Sequence, residues 1–204
     1  MGCQPGTITL TTLMKGLCIN NDIGKALDFY GDLTAKEFQL DVISYGTLVN
    51  GLCKTGKTRC AVKLPQNMAR GRLKPNLVMY STIIDGFCKE GLITEASDLF
   101  HEMIGHGISP NVVTYNSLIN GLCCMYKWLE AAKLFNQMRL KGINPNVCTF
   151  NILVDAFCKE GSVTKVEAVV GMMMKYDIKP DVVTYNTLID EYCWINNVDK
   201  SRVV

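Results

Sequence analysis

The 204-residue sequence lacks most of the groups that tie a chain to a chemistry. It has two histidines and no C-x-x-C pair, so its ten cysteines do not have the spacing of a zinc site. It contains no phosphate-cradling glycine loop, no nucleophile–base set and no H-x-E…C-x-x-C deaminase signature, so neither an enzyme nor a cofactor is expected. No run of about 18 uncharged apolar residues exists, which argues against a membrane span. The opening MGCQPGTITL has neither the basic-then-apolar layout of a secretory signal nor the Arg- and Ser-rich character of a transit peptide. A strong basic field is missing too: 21 Lys and Arg against 19 Asp and Glu leave a net charge of +2. Any nucleic-acid binding must therefore rest on more than attraction to phosphates.

What is present is a period. With 48% hydrophobic and 20% charged residues the chain can bury a core. Six cysteines, Cys18, Cys53, Cys88, Cys123, Cys158 and Cys193, follow one another at intervals of 35 residues. The same step links Tyr45, Tyr80, Tyr115, Phe150 and Tyr185, then Met68, Met103, Met138 and Met173, then Ala26, Ala61, Ala96 and Ala131, then Pro75, Pro110, Pro145 and Pro180. Five residue types in one register mark a solenoid. Within one period, Tyr115, Leu118, Ile119 and Leu122 fall on one helical face, and Ala131, Leu134, Phe135 and Met138 fall on another. Gly142 ends the second helix and Pro145 prevents its continuation.

Each repeat is therefore a helix-turn-helix, and neighbours must stack to bury both stripes. Complete repeats are expected at 7–41, 42–76, 77–111, 112–146 and 147–181, with 1–6 the tail of an earlier repeat and 182–204 a truncated sixth. The expected fold is all-α, a right-handed solenoid superhelix. Its first helices, near 9–19, 44–54, 79–89, 114–124, 149–159 and 184–194, would line the concave face, making eleven full helices and a truncated twelfth. The ends carry no polar capping helix, so the chain reads as a fragment, with protein partners expected at the exposed repeat ends.

The segments VVTYNSLINGLC (112–123), VMYSTIIDGFCKEG (78–91) and VVTYNTLIDEYC (182–193) resemble the pentatricopeptide repeat, and the resemblance extends over the whole chain. The uniform 35-residue length is similar to the P class of that family, and the GLCK, GFCKEG and KPD idioms to its plant restorer-of-fertility-like branch. The resemblance implies sequence-specific binding of single-stranded RNA, one base per repeat. It also implies an organellar setting, the mitochondrion before the chloroplast, and a role in transcript processing, stabilisation or translation. The alternatives are a protein-binding helical scaffold and a non-functional truncated fragment.

In the family, position 5 of the first helix and position 35 face each base. Here those pairs are Thr11 with Asp41, Gly46 with Asn76, Ser81 with Asn111, Asn116 with Asn146, and Asn151 with Asp181, followed by Asn186 alone. Position 2 supplies an apolar wedge between bases: Ile8, Ile43, Val78, Val113, Cys148 and Val183. Lys54, Lys89 and Lys159 match the family's phosphate-contacting column, whereas Ile19, Met125 and Trp194 do not. A carboxylate only accepts, which suits the central N–H of uracil or guanine; an amide can donate, which suits cytosine or adenine. A larger Asn at position 5 fits pyrimidines, and Ser or Thr leaves room for a purine. The deduced element is 5′-G-(A/C)-A-C-U-(C/U)-3′. A competing reading makes the position-5 Asn residues helix caps that bond backbone N–H groups.

The cysteine, methionine and aromatic columns are expected to be packing. Pro65 stands inside a second helix, where Tyr30, Phe100 and Phe135 occupy the same column, and together with Gly46 makes repeat 42–76 the weakest unit.

Overall fold

The computed structural model describes residues 6–36, 38, 40–70 and 73–190. The described residues are helices joined by turns and short irregular links, with no strand among them. Eleven helices follow in order: α1 (Thr7–Ile19), α2 (Ile23–Ala35), α3 (Val42–Lys54), α4 (Thr58–Ala61), α5 (Lys63–Arg70), α6 (Leu77–Lys89), α7 (Ile93–Gly105), α8 (Val112–Cys124), α9 (Trp128–Leu140), α10 (Val147–Lys159) and α11 (Val163–Lys175). Residues 182–190 are helical as well. The 35-residue step is kept by every first helix, and each begins two residues earlier than the apolar pattern suggests. The second helix expected in the sixth repeat, with Cys193, lies outside the described residues.

Two compact units are present, Met1–Pro110 and Asn111–Val204. In the first, α1 packs on α2 and α3, α3 on α4 and α6, and α6 on α7. In the second, α8 packs on α9 and α10, and α10 on α11. Hairpins thus stack in chain order within each unit, first helix against first helix, as shared burial of the apolar stripes requires.

The columns explain that packing. Met68, Met103, Met138 and Met173 have no exposed surface, and Ala26, Ala61, Ala96 and Ala131 are at most 2% exposed. Tyr45, Tyr80, Tyr115 and Phe150 are buried, while Tyr185 is exposed. The cysteine column lies between successive first helices: a Cβ on Gly86 would come within 3.0 Å of the Cys53 side chain and 2.7 Å of the Thr58 hydroxyl, so only glycine admits this approach. Burial pushes the thiols of Cys53 and Cys123 up to about 11 and about 12. Such thiols stay protonated at neutral pH and act as small apolar groups.

Helices α1, α3, α6, α8 and α10 each end in a left-handed residue that lets two N–H groups reach back to the last turn. After α6, Gly91 has φ 74°, and Leu92 N donates to the Phe87 carbonyl at 2.9 Å. Tyr126 holds the same place after α8 with φ 58°, a conformation that costs a β-carbon-bearing residue about 1–2 kcal/mol. Gly142 ends α9 in the expected way, with φ 73°.

The second repeat departs from its neighbours as Pro65 leads one to expect. Its second helix is broken at Val62 into α4 and α5, because Pro65 has no N–H to return to the carbonyl of Ala61. A pocket of about 500 Å³ opens beside it, lined by Pro65, Gln66, Lys74, Pro75, Tyr80, His106 and Ile108. In the first repeat Tyr30 meets the next position-4 ring, Tyr45, edge-on at 5.8 Å; in the fourth, Phe135 meets Phe150 at 5.9 Å. Pro65 offers Tyr80 no aromatic ring.

Candidate nucleic-acid interface

After α1, whose N-cap is Gly6 with no side-chain cap, the first helices begin where they do because position 35 caps them. Asp41, Asn76, Asn111 and Asn146 are the N-cap residues of α3, α6, α8 and α10, each accepting a backbone N–H two or three places into the helix. Asp181 does the same for the helix at 182–190, accepting Thr184 N at 3.0 Å. The capping alternative for the position-5 asparagines is thereby corrected. Asn116 and Asn151 are the fifth residues of α8 and α10, past the last orphan N–H that a cap could serve, and their amides bond elsewhere.

Position 5 and position 35 are brought together. Asn116 Nδ2 donates to Asn146 Oδ1 at 3.3 Å, and Asn151 Nδ2 donates to Asp181 Oδ1 at 2.9 Å. A third residue, absent from the sequence expectation, completes each set: the position-3 hydroxyl of the following repeat. Thr149 Oγ1 donates to Asn116 Oδ1 at 2.7 Å and lies 3.1 Å from Asn146 Oδ1. Thr184 Oγ1 donates to Asn151 Oδ1 at 2.5 Å and lies 3.0 Å from Asp181 Oδ1. Thr149 and Thr184 have no exposed surface.

These bonds fix the amide orientations. Asn146 Oδ1 accepts the Thr149 N–H, so that atom must be oxygen and Nδ2 must face outward. Asn116 can approach an acceptor only with its own N–H, so its Oδ1 is turned to the threonine. The side-chain bonds of Asp181 likewise all fall on Oδ1, leaving Oδ2 outward. The backbone N–H of Thr184, then the Asn151 amide, hold the Asp181 carboxyl below the usual carboxylate value, so it is ionised at neutral pH.

In the first unit, Thr11 Oγ1 and Ser44 Oγ lie 2.6 Å apart, and Ser44 Oγ donates to Asp41 Oδ1 at 2.7 Å. Burial raises the Asp41 carboxyl, but the Ser44 hydroxyl and N–H outweigh it and bring it below the usual value. Gly46 breaks the pattern. It has no side chain, the following position 3 is the buried Met79, and Asn76 keeps the single bond from Met79 N at 3.0 Å. Ser81 is 9% exposed, Asn111 accepts Thr114 N at 3.0 Å, and Asn186 is exposed.

The position-2 column is an exposed apolar stripe. Ile8 is 84% exposed, Ile43 69%, Val78 70%, Val113 57% and Val183 56%, and the Cys148 thiol is exposed too. Six side chains of this kind in one register, each three residues before a position 5, are not scattered surface apolars. The lysine column is exposed but engaged: Lys89 Nζ lies 2.6 Å from Asp85 and Lys159 Nζ 2.7 Å from Asp155, one turn back on the same helix. The bond to Asp155 holds Lys159 above the usual lysine value. Lys54 is exposed at the same place on α3. Among the described residues no group of three or more His, Cys, Asp or Glu could hold a metal. No helix among them is long and apolar enough to cross a membrane.

The profile of the PPR repeat family matches residues 5–54, 40–89, 75–124, 125–159 and 145–194. Among solved structures, PPR10 in complex with an 18-nt psaJ RNA element is 25% identical, with TM-score 0.73 over 86% of this chain. PPR10 from maize alone gives TM-score 0.75 at 23% identity over 93% of the chain. The PPR domain of Arabidopsis thaliana protein-only RNase P 1 in complex with tRNA gives 0.68 at 15% identity, covering 90% of this chain and 96% of that one. This chain spans 26% of the length of PPR10. The fold is that of these helical-repeat proteins. No curated protein matches the chain.

Proposed function

The chain belongs to the pentatricopeptide repeat family, and from that premise we propose that it binds single-stranded RNA, one base per repeat, as a reader and not a catalyst. The observation that carries this reading is the pairing of positions 5 and 35. At each complete set the protein consumes Oδ1 of position 35 and turns its other atom outward. Asp181 offers an acceptor, Oδ2, which complements the N3–H of uracil; Asn146 offers a donor, Nδ2, which complements the bare N3 of cytosine. The exposed position-2 side chains give the flanking base faces an apolar seat. PPR10, which shares the fold, is described in complex with an RNA element.

The element we assign is 5′-G-(A/C)-A-C-U-(C/U)-3′, read from Thr11 and Asp41 through to Asn186. An organellar, mitochondrial role in transcript processing, stabilisation or translation is proposed on the family idioms of the sequence.

Two measurements test binding itself. Cys148 stands in the wedge column with its thiol exposed, whereas Cys60 is exposed on α4, away from that column. Matched RNA is expected to protect Cys148 from alkylation and leave Cys60 labelled at its free rate; equal labelling of Cys148 with and without RNA refutes seating of bases there. Filter binding against short RNA pools supplies affinities. Lys89→Ala and Lys159→Ala should each weaken all sequences alike and reduce the salt slope by about one unit or less, the scale of one phosphate contact. Because each lysine is already paired with an aspartate, the loss per residue should be small. A change of base preference in either variant would place these lysines among the base-reading groups instead.

A further inference from the structure

We propose that the position-3 hydroxyl of each following repeat is a positioning residue for base reading, and that the second repeat, which lacks it, reads its base poorly. The proposal rests on the base-reading function above and adds a residue to it.

Thr149 has one hydroxyl proton and two tasks. It donates to Asn116 Oδ1, and its oxygen accepts the Asn146 backbone N–H at 3.1 Å. Thr184 repeats both with Asn151 and with Asp181 N, also at 3.1 Å. Without that proton, Asn116 Oδ1 has no donor within the set, and the amide is free to rotate. A rotated amide presents C=O where the base meets N–H, so the same asparagine ceases to distinguish one pairing edge from another. The hydroxyl is fully buried and cannot reach RNA, so it acts only through the asparagine. Ser44 links Thr11 and Asp41 differently, its proton going to the Asp41 carboxylate and its oxygen lying beside the Thr11 hydroxyl.

Gly46, Asn76 and Met79 depart from this arrangement together. Asn76 retains only its cap bond, Gly46 supplies no partner, and position 3 is the buried Met79, which carries no hydroxyl. An amide held by one bond is poorly aimed, and no second group corrects it. There is room for repair, because a Cβ on Gly46 would meet nothing within 4 Å.

The test uses the full chain and four RNAs per site, differing only at the base concerned. Thr149→Val and Thr184→Val are near in volume but lack the proton. Each is expected to reduce discrimination at its own base by about ten-fold, the scale of one matched base contact, while discrimination at the other site stays intact. Thr149→Ser and Thr184→Ser should restore it. In the wild type the second base should be discriminated several-fold less than the fourth or fifth. Gly46→Asn should do little alone, and Gly46→Asn with Met79→Thr should create a preference for C exceeding the product of the single changes. Melting curves show which variants are folded, and ratios are compared at equal occupancy. If the wild type discriminates at the fourth and fifth bases but the valine variants do so equally well, the hydroxyl's role is overturned and base reading survives. Absence of discrimination at every base in the wild type defeats base reading itself. Additive behaviour of Gly46→Asn and Met79→Thr overturns the account of the second repeat.

Discussion

Asp181→Asn is expected to move the preference at the fifth base from U towards C. The cap survives, since Asn and Asp cap helices about equally well and Thr184 N still finds Oδ1. The bonds from Thr184 Oγ1 and Asn151 Nδ2 need only an oxygen at the same place, and Asn146 shows the amide version of the set already built one repeat earlier. What changes is the outward atom, from an acceptor to a donor. The switch should amount to roughly 1–3 kcal/mol, the usual cost of a mismatched base, with affinity for the re-matched RNA nearly unchanged. Asp181→Ala separates the roles: it removes the cap, costing about 1 kcal/mol of stability, and removes the discrimination as well. Competition between RNAs differing at one base provides the measurement. A variant that keeps its U preference, or that loses every RNA equally, shows the pair to be structural only.

Pro65→Leu should raise Tm. An interior proline costs about 3 kcal/mol, reduced here because the break at Val62 leaves Pro65 only the third residue of α5. Leucine supplies the missing N–H, rejoins α4 and α5, and places apolar volume in the pocket beside Tyr80 and Ile108. A net gain of about 1–2 kcal/mol corresponds to roughly 2–8 °C for a chain of this size. Helical circular dichroism should rise with it. Pro65→Phe should do at least as well, since an edge-on ring against Tyr80 would add about 0.5–1.5 kcal/mol. A Tm that stays level or falls means that the break belongs to the repeat's packing and not to the proline.

The sequence and the structure agree best where the signal is periodic. Thirty-five-residue spacing located every described hairpin; the methionine and alanine columns are buried as their apolar registers imply, as are Cys88, Cys123 and Cys158, while Cys18 and Cys53 are half-buried. Pro65 was legible because one residue both removes a hydrogen bond and interrupts an aromatic column. Helix starts were harder, since position 35 is polar and belongs to no apolar stripe; only its bond to a backbone N–H reveals it as the cap. Thr149 and Thr184 escaped notice for a related reason. A threonine third in a helix looks like an ordinary first-turn residue, and its partner Asn116 or Asn151 is 33 residues away. The ion pairs of Lys89 and Lys159 were available from i,i+4 spacing, whereas Tyr126 in a left-handed turn was not, because glycine holds the equivalent place at Gly56, Gly91 and Gly161.

Each threonine sits in one hairpin and, on the proposed reading, completes the recognition set of the hairpin before it. A gene segment exchanged at residue 147 would therefore part Asn116 and Asn146 from Thr149, and one exchanged at residue 182 would part Asn151 and Asp181 from Thr184. The heritable cassette of specificity is out of phase with the folding hairpin by three residues. Under that proposal, crossovers that preserve meaning fall after Ser44, Thr149 or Thr184, inside a helix, and those at the visible boundaries between hairpins would transmit a specificity that depends on which neighbour they land beside.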